Sequence, residues 1–203
     1  MPSFYISLLN LYMLCLKNKS NPEWIESALK NLPSVIMDHA HCEKKAAGTG
    51  MSLLSTYFDK KEISLAMSDL VEEEIGHYRS VIKILDKMGL TLGRDEGDEY
   101  AKKLLSFVSK NEPQRMMDRL LTAGIIEARS CERLQILAEN ITDTELKNFY
   151  KELSDSEAGH YVTFVKLAKI YFDESDIKKR LDELTLIEAE IVKNLPNKPL
   201  MHG

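Results

Sequence analysis

The stretch "EEIGHY" at Glu73–Tyr78 returns 83 residues later as "SEAGHY" at Ser156–Tyr161, each time with a glutamate three places before a histidine. Residues at i and i+3 lie on one side of a helix, so each copy aims a carboxylate and an imidazole in the same direction. Their meaning depends on whether both copies sit on helices and whether those helices turn them inward.

Around Glu74 and His77, the residues Ile63, Met67, Leu70, Val81, Ile84 and Met88 recur in alternating steps of four and three. That is the period of an amphipathic helix, with Glu74 and His77 on its apolar stripe. The second copy behaves alike: Leu146, Tyr150, Leu153, Phe164, Leu167 and Tyr171 share the stripe of Glu157 and His160. Two further stripes carry one glutamate each. Ile36, His39, Glu43, Ala47, Gly50, Leu54 and Tyr57 form one; Met117, Leu120, Gly124, Glu127, Cys131, Leu134, Ala138 and Ile141 form the other.

Start and stop signals bound these helices. Asn21-Pro22 and Pro33 read as helix openings, Asp59 to Glu62 and Thr142 to Glu145 as capping boxes, and Gly89 as a terminator. The sequence predicts helices near 22–31, 33–57, 60–88, 98–109, 113–140, 142–172 and 176–193. Two long hairpins joined by a crossover through 89–112 make an all-α, ferritin-like four-helix bundle, with extra short helices at both ends. The 203 residues are expected to form a single domain, with 1–20 as an N-terminal segment and 175–203 as a C-terminal helix and tail.

Composition narrows the setting. The content is 44% hydrophobic and 29% charged, as in a soluble globular protein. Three cysteines without CxxC spacing argue against a disulfide framework or a zinc knuckle and favour a reducing cytoplasm. The most apolar run, Phe4 to Leu16, is too short to span a bilayer and lacks the marks of a signal peptide, so it is read as a buried segment with no membrane role. A net charge of −5 offers no global attraction to nucleic acid, and the lysine pairs alternate with acids as on an ordinary helix surface.

Burying one unpaired carboxylate costs several kcal/mol, so four on core faces demand compensating cations or protonation. Two divalent metals supply the matching charge. One Glu from each of two helices and Glu-x-x-His from each of two others is the ligand pattern of di-iron and di-manganese carboxylate bundles. The expected metal ligands are therefore Glu43, Glu74, His77, Glu127, Glu157 and His160. Register agrees: Glu43 and Glu74 are 31 residues apart across one turn, Glu127 and Glu157 are 30 apart across the other. Glu132 competes with Glu127 but lies off the stripe. His39, His41 and Asp38 are read as neighbours of the site or as packing, and Cys42 and Cys131 as small buried hydrophobes. Gly76 and Gly159 are expected to permit close helix approach.

"DHAHCEKKAAG" (Asp38–Gly48), "EEEIGHY", "IIEARSCERL" (Ile125–Leu134) and "SEAGHY" together resemble the MiaE family of tRNA-(2-methylthio-N6-isopentenyl-adenosine) hydroxylases. The resemblance runs from about Asn21 to the C-terminal tail. It implies a non-haem di-iron monooxygenase in which the six residues bind two iron ions, with O2 as co-substrate. The substrate would be tRNA, hydroxylated on the isopentenyl group of the modified adenosine beside the anticodon.

The oxygen-rich ligand set suits iron, with Glu74 and Glu157 expected to bridge the ions. Electrons would come from a separate reductase, because the chain has no flavin or nucleotide fingerprint. Lys44, Lys45, Arg129 and Arg133 are candidates for a basic rim facing the RNA, and the tail "LPNKPLMHG" for a cover in which His202 has no special part. A ferritin-like ferroxidase or iron-storage protein would share fold and ligands. A purely structural bundle would bind no metal, and a rubrerythrin-type electron carrier is disfavoured by the missing CxxC pair.

Overall fold

A computed structural model describes residues 13–203, which hold seven α-helices and no strand. They are α1 (Pro22–Lys30), α2 (Leu32–Thr56), α3 (Lys61–Lys87), α4 (Glu99–Leu105), α5 (Gln114–Asn140), α6 (Thr144–Tyr171) and α7 (Glu174–Lys193). Most of the apolar run Phe4–Leu16 lies outside the described residues; Leu16, at its end, is buried. Among the described residues no helix is long and apolar enough to cross a membrane.

Contacts divide the chain into two compact units. Among the described residues, one comprises Glu26–Gly97 with Lys198–Met201 and Gly203; the other comprises residues 13–25, Asp98–Asn197 and His202.

In the Glu26–Gly97 unit, α2 and α3 form an antiparallel hairpin. Gly50 makes their close packing possible, since a Cβ there would lie 2.8 Å from Val71 Cγ2 and 3.0 Å from Leu70 Cδ2. The buried face of α3 is Ile63, Met67, Leu70, Glu74, Val81 and Leu85. The sequence reading slips at the end of this stripe, because a 3.6-residue period carries the face from Val81 to Leu85, and Met88 is exposed. On α2 the same drift buries Leu53 in place of Leu54. Gly89, at φ 69°, ends α3 as expected.

In the other unit, α5 and α6 make the second hairpin, and α4 and α7 pack beside it. Gly124 allows its close approach: a Cβ there would meet Phe164 Cβ at 3.3 Å and Tyr161 Cδ2 at 3.5 Å. Here α5 exceeds the expectation of a single buried stripe. Asp118, Arg129, Glu132 and Arg133 are buried along with the apolar positions, so the helix is covered nearly all round.

Two caps differ from the sequence reading. Asp143, not Thr142, caps α6 by accepting from Leu146 N at 2.8 Å. Asp59 does not cap α3; its carboxylate pairs with Lys60 at 2.6 Å. Both substitutes are local, so the helix starts move by only a residue or two. Asn21 caps α1 through Glu23 N at 3.0 Å, as expected.

Candidate metal centre

Each hairpin gathers three of the six candidate ligands. In the α2–α3 hairpin, ligand atoms of Glu43, Glu74 and His77 lie within 4.8 Å of one another. His77 Nδ1 is 3.4 Å from Glu43 Oε2 and 3.6 Å from Glu74 Oε2. His39, one turn before Glu43, places Nε2 2.6 Å from Glu43 Oε1 and so fixes that carboxylate. Burial opposes a charge on His77, but the two carboxylates outweigh it and push its pKa up to about 10. A proton on the imidazole thus supplies positive charge where the carboxylates require it.

In the α5–α6 hairpin, ligand atoms of Glu127, Glu157 and His160 also lie within 4.8 Å of one another. His160 Nδ1 is 3.4 Å from Glu157 Oε2. Glu127, Glu157 and His160 are all buried. Two carboxylates and an imidazole in each trio are the hard, oxygen-rich donors that suit iron or manganese. The donor set therefore fits a pair of divalent cations, one trio to each.

The remaining candidates separate clearly. Glu132 is engaged elsewhere, accepting from Ser20 N at 2.8 Å, Ser20 Oγ at 2.6 Å and Arg129 at 2.9 Å. His41 directs Nε2 to the Gly93 carbonyl at 3.0 Å, with Lys44 Nζ 3.0 Å from Nδ1, so its ring pins the loop after α3. Asp38 accepts from Met201 N at 2.8 Å. Burial, with the nearby Glu157 charge, pushes the Cys131 thiol up to about 12, consistent with an inert hydrophobe.

Three expectations require correction. Arg129 and Arg133 form no basic rim, because both are fully buried. Arg129 is held by Glu188 at 2.8 and 3.2 Å, by Glu132 and by the Asn18 carbonyl, while Arg133 lies 4.3 Å over the Trp24 ring. Lys44 and Lys45 stand 3.7 and 2.9 Å from the Asp95 carboxylate. Gly76 and Gly159 do not serve close helix approach, since a Cβ on either would meet nothing within 4 Å. His202 is not idle tail. Its Nδ1 lies 2.8 Å from Asp98 Oδ2, its Nε2 3.2 Å from Ser130 Oγ, and its ring stacks 4.8 Å from that of Tyr100.

Glu188 was the missed partner in the arginine cluster. It shares the stripe of Leu184, Ile191 and Val192 on α7, so a carboxylate on an apolar face was the available signal. His202 left none.

The sequence matches the MiaE family, described as tRNA-(MS[2]IO[6]A)-hydroxylase, over residues 7–203. It is 37% identical over 171 residues to the tRNA 2-(methylsulfanyl)-N(6)-isopentenyladenosine(37) hydroxylase of Pseudomonas putida, covering 84% of this chain and 83% of that one. The hydroxylase of the same description from Salmonella typhimurium is 29% identical over 218 residues, covering 83% and 80%. Among solved structures, a Synechococcus protein with aldehyde deformylating oxygenase activity superposes with a TM-score of 0.88 at 34% identity, covering 93% of this chain and 95% of that one. The helix order and connections are those of the ferritin-like all-α class.

Proposed function

The chain belongs to the MiaE family of tRNA-(MS[2]IO[6]A)-hydroxylases, and from that premise we propose that it hydroxylates the isopentenyl group of 2-methylthio-N6-isopentenyl-adenosine in tRNA at a two-metal centre. The observation that carries this reading is the duplicated trio of two carboxylates and one histidine, one per hairpin. Glu43, Glu74 and His77 would hold one iron ion, and Glu127, Glu157 and His160 the other. Such a pair would supply O2 activation for inserting one oxygen atom into an allylic C–H bond of the isopentenyl group.

The chain's own residues prepare that chemistry. Four carboxylates carry −4 and balance two divalent ions, so the metal-loaded core holds no net buried charge. His39 holds Glu43 in one orientation, which keeps a ligand oxygen aimed while its other oxygen is fixed. Ile63, Met67 and Leu70 on α3, and Leu153 and Phe164 on α6, are buried beside the ligands on their own stripes and exclude water from them. Oxygen insertion consumes two electrons, which a separate reductase would deliver.

The test is nucleoside mass spectrometry of tRNA from a bacterium that makes the isopentenyl adenosine but does not hydroxylate it. Expression of the chain together with a reducing system is expected to add one oxygen to that nucleoside, and Glu127→Ala is expected to abolish the gain. An unchanged nucleoside, with iron uptake far above two per chain, would instead favour the ferroxidase reading.

A further inference from the structure

The two copies of Glu-x-x-His share more than their ligands. They read Glu74-Ile-Gly-His-Tyr-Arg-Ser80 and Glu157-Ala-Gly-His-Tyr-Val-Thr163, each with glycine before the histidine and a hydroxyl residue three places after it. In the fold, Ser80 Oγ donates to the Gly76 carbonyl at 3.0 Å and Thr163 Oγ1 to the Gly159 carbonyl at 3.1 Å. Other hydroxyls that bond back one turn in the long helices use the carbonyls of Lys45, Ser52, Ser64, Lys151 and Leu181. Only beside the two histidines, among these, is the acceptor a glycine.

Packing does not explain the glycines, because an added Cβ at either would stand in open space. Each lies far inside a helix, α3 of 27 residues and α6 of 28, where glycine weakens helix relative to alanine. A hydroxyl that shares the acceptor of a helical N–H loosens the same turn, and Gly/Ser pairs are recurrent sites of helix bending. Two weakening devices therefore coincide on one turn, twice, at matching positions.

Each glycine also falls between the two ligands of its motif. On a stiff helix the separation of Glu and His at i and i+3 is fixed by the helix itself, whereas a metal demands its ligand atoms within a few tenths of an ångström. We propose that Gly76 with Ser80, and Gly159 with Thr163, are positioning residues: each pair is a pliable joint that lets its histidine adjust to the metal independently of its glutamate. The proposal rests on the two-metal reading above.

The test compares wild type with the Gly76→Ala/Gly159→Ala double variant, which has room for both methyl groups. Three quantities are measured: thermal unfolding, amide hydrogen exchange of the metal-free chains at Ser80 and Thr163, and anaerobic Fe(II) affinity. The double variant is expected to melt about 4–8 °C higher, to exchange those two amides about fivefold more slowly, and yet to bind Fe(II) about tenfold more weakly. Higher stability with weaker binding is a combination that a merely structural glycine would not produce. Unchanged exchange, or unchanged affinity in a stiffer protein, would overturn the joint while leaving the two-metal centre intact. A wild-type chain that binds no Fe(II) would overturn both.

Discussion

The α2–α3 and α5–α6 hairpins present the same three ligand types on different supports. In the first, Glu43 is fixed from within its own helix by His39, and the His77 side chain keeps 15% of its surface exposed. In the second, the residue one turn before Glu127 is Ala123, and the His160 side chain is 7% exposed. Alanine has no polar group with which to take the part of His39; the ligand-bearing helix is instead buried and clamped by Arg129, Glu132 and Glu188. One trio is aimed by a neighbouring side chain, and the other by immobilising the backbone that carries it.

The comparison breaks most sharply at Arg129. Arg129→Ala would leave Glu188 and Glu132 buried without this cation and is expected to cost about 3–5 kcal/mol, read from the urea midpoint. A half-buried pair of the other unit behaves differently: Lys45→Ala, which removes the pair with Asp95, should cost about 1 kcal/mol, well below the loss at Arg129. Equal losses would mean that the buried cluster does not support α5.

Next in size is His39→Ala. It should weaken metal binding by about 10–100-fold, with a smaller change in stability. A comparable loss from Ala123→Ser would erase the distinction between the two supports.

The glycines at the helix contacts rank the packing of the hairpins. Gly50→Ala is expected to cost about 1–3 kcal/mol, because its methyl group would press on Val71 and Leu70, and Gly124→Ala less, because Phe164 Cβ stands farther off. Thermal melts of the two variants check the order.

The smallest effect concerns the clamp around Asp118 in the second unit. Burial alone would raise this carboxyl, yet Arg180 and Ser109 hold it below its ordinary 3.8. A depressed folded pKa contributes stability that is present above pH 3.8 and lost as pH falls through the folded value. Wild type should therefore lose stability on acidification below about pH 3.8, and Asp118→Asn should show a shallower decline, measured by urea unfolding between pH 7 and pH 3.

The long helices and the candidate trios were legible because a 3.6-residue period survives 25 or more residues, and because a carboxylate on an apolar stripe must find a cation once the stripe is buried. What escaped was decided by partners distant in sequence. Arg129 and Arg133 look like surface cations until Glu188 and Ser20 are brought to them. Burial of His202 depends on Asp98 and Ser130, which no local pattern links to it. Caps failed for a nearer reason: Thr142 and Asp143 are both competent, and backbone geometry chose the second. The expectation for Gly76 and Gly159 failed because sequence cannot distinguish a glycine that admits a neighbour from one that faces open space, whereas Gly50 and Gly124 are the ones that admit a neighbour.

The central claim is that each hairpin's trio holds one divalent ion, and anaerobic Fe(II) titration of the metal-free chain tests it most directly. The account predicts saturation at about two ions per chain in wild type, with Glu43→Ala and Glu127→Ala each losing about one ion. Full binding of two ions by either variant, or wild-type uptake of many ions per chain, would contradict it.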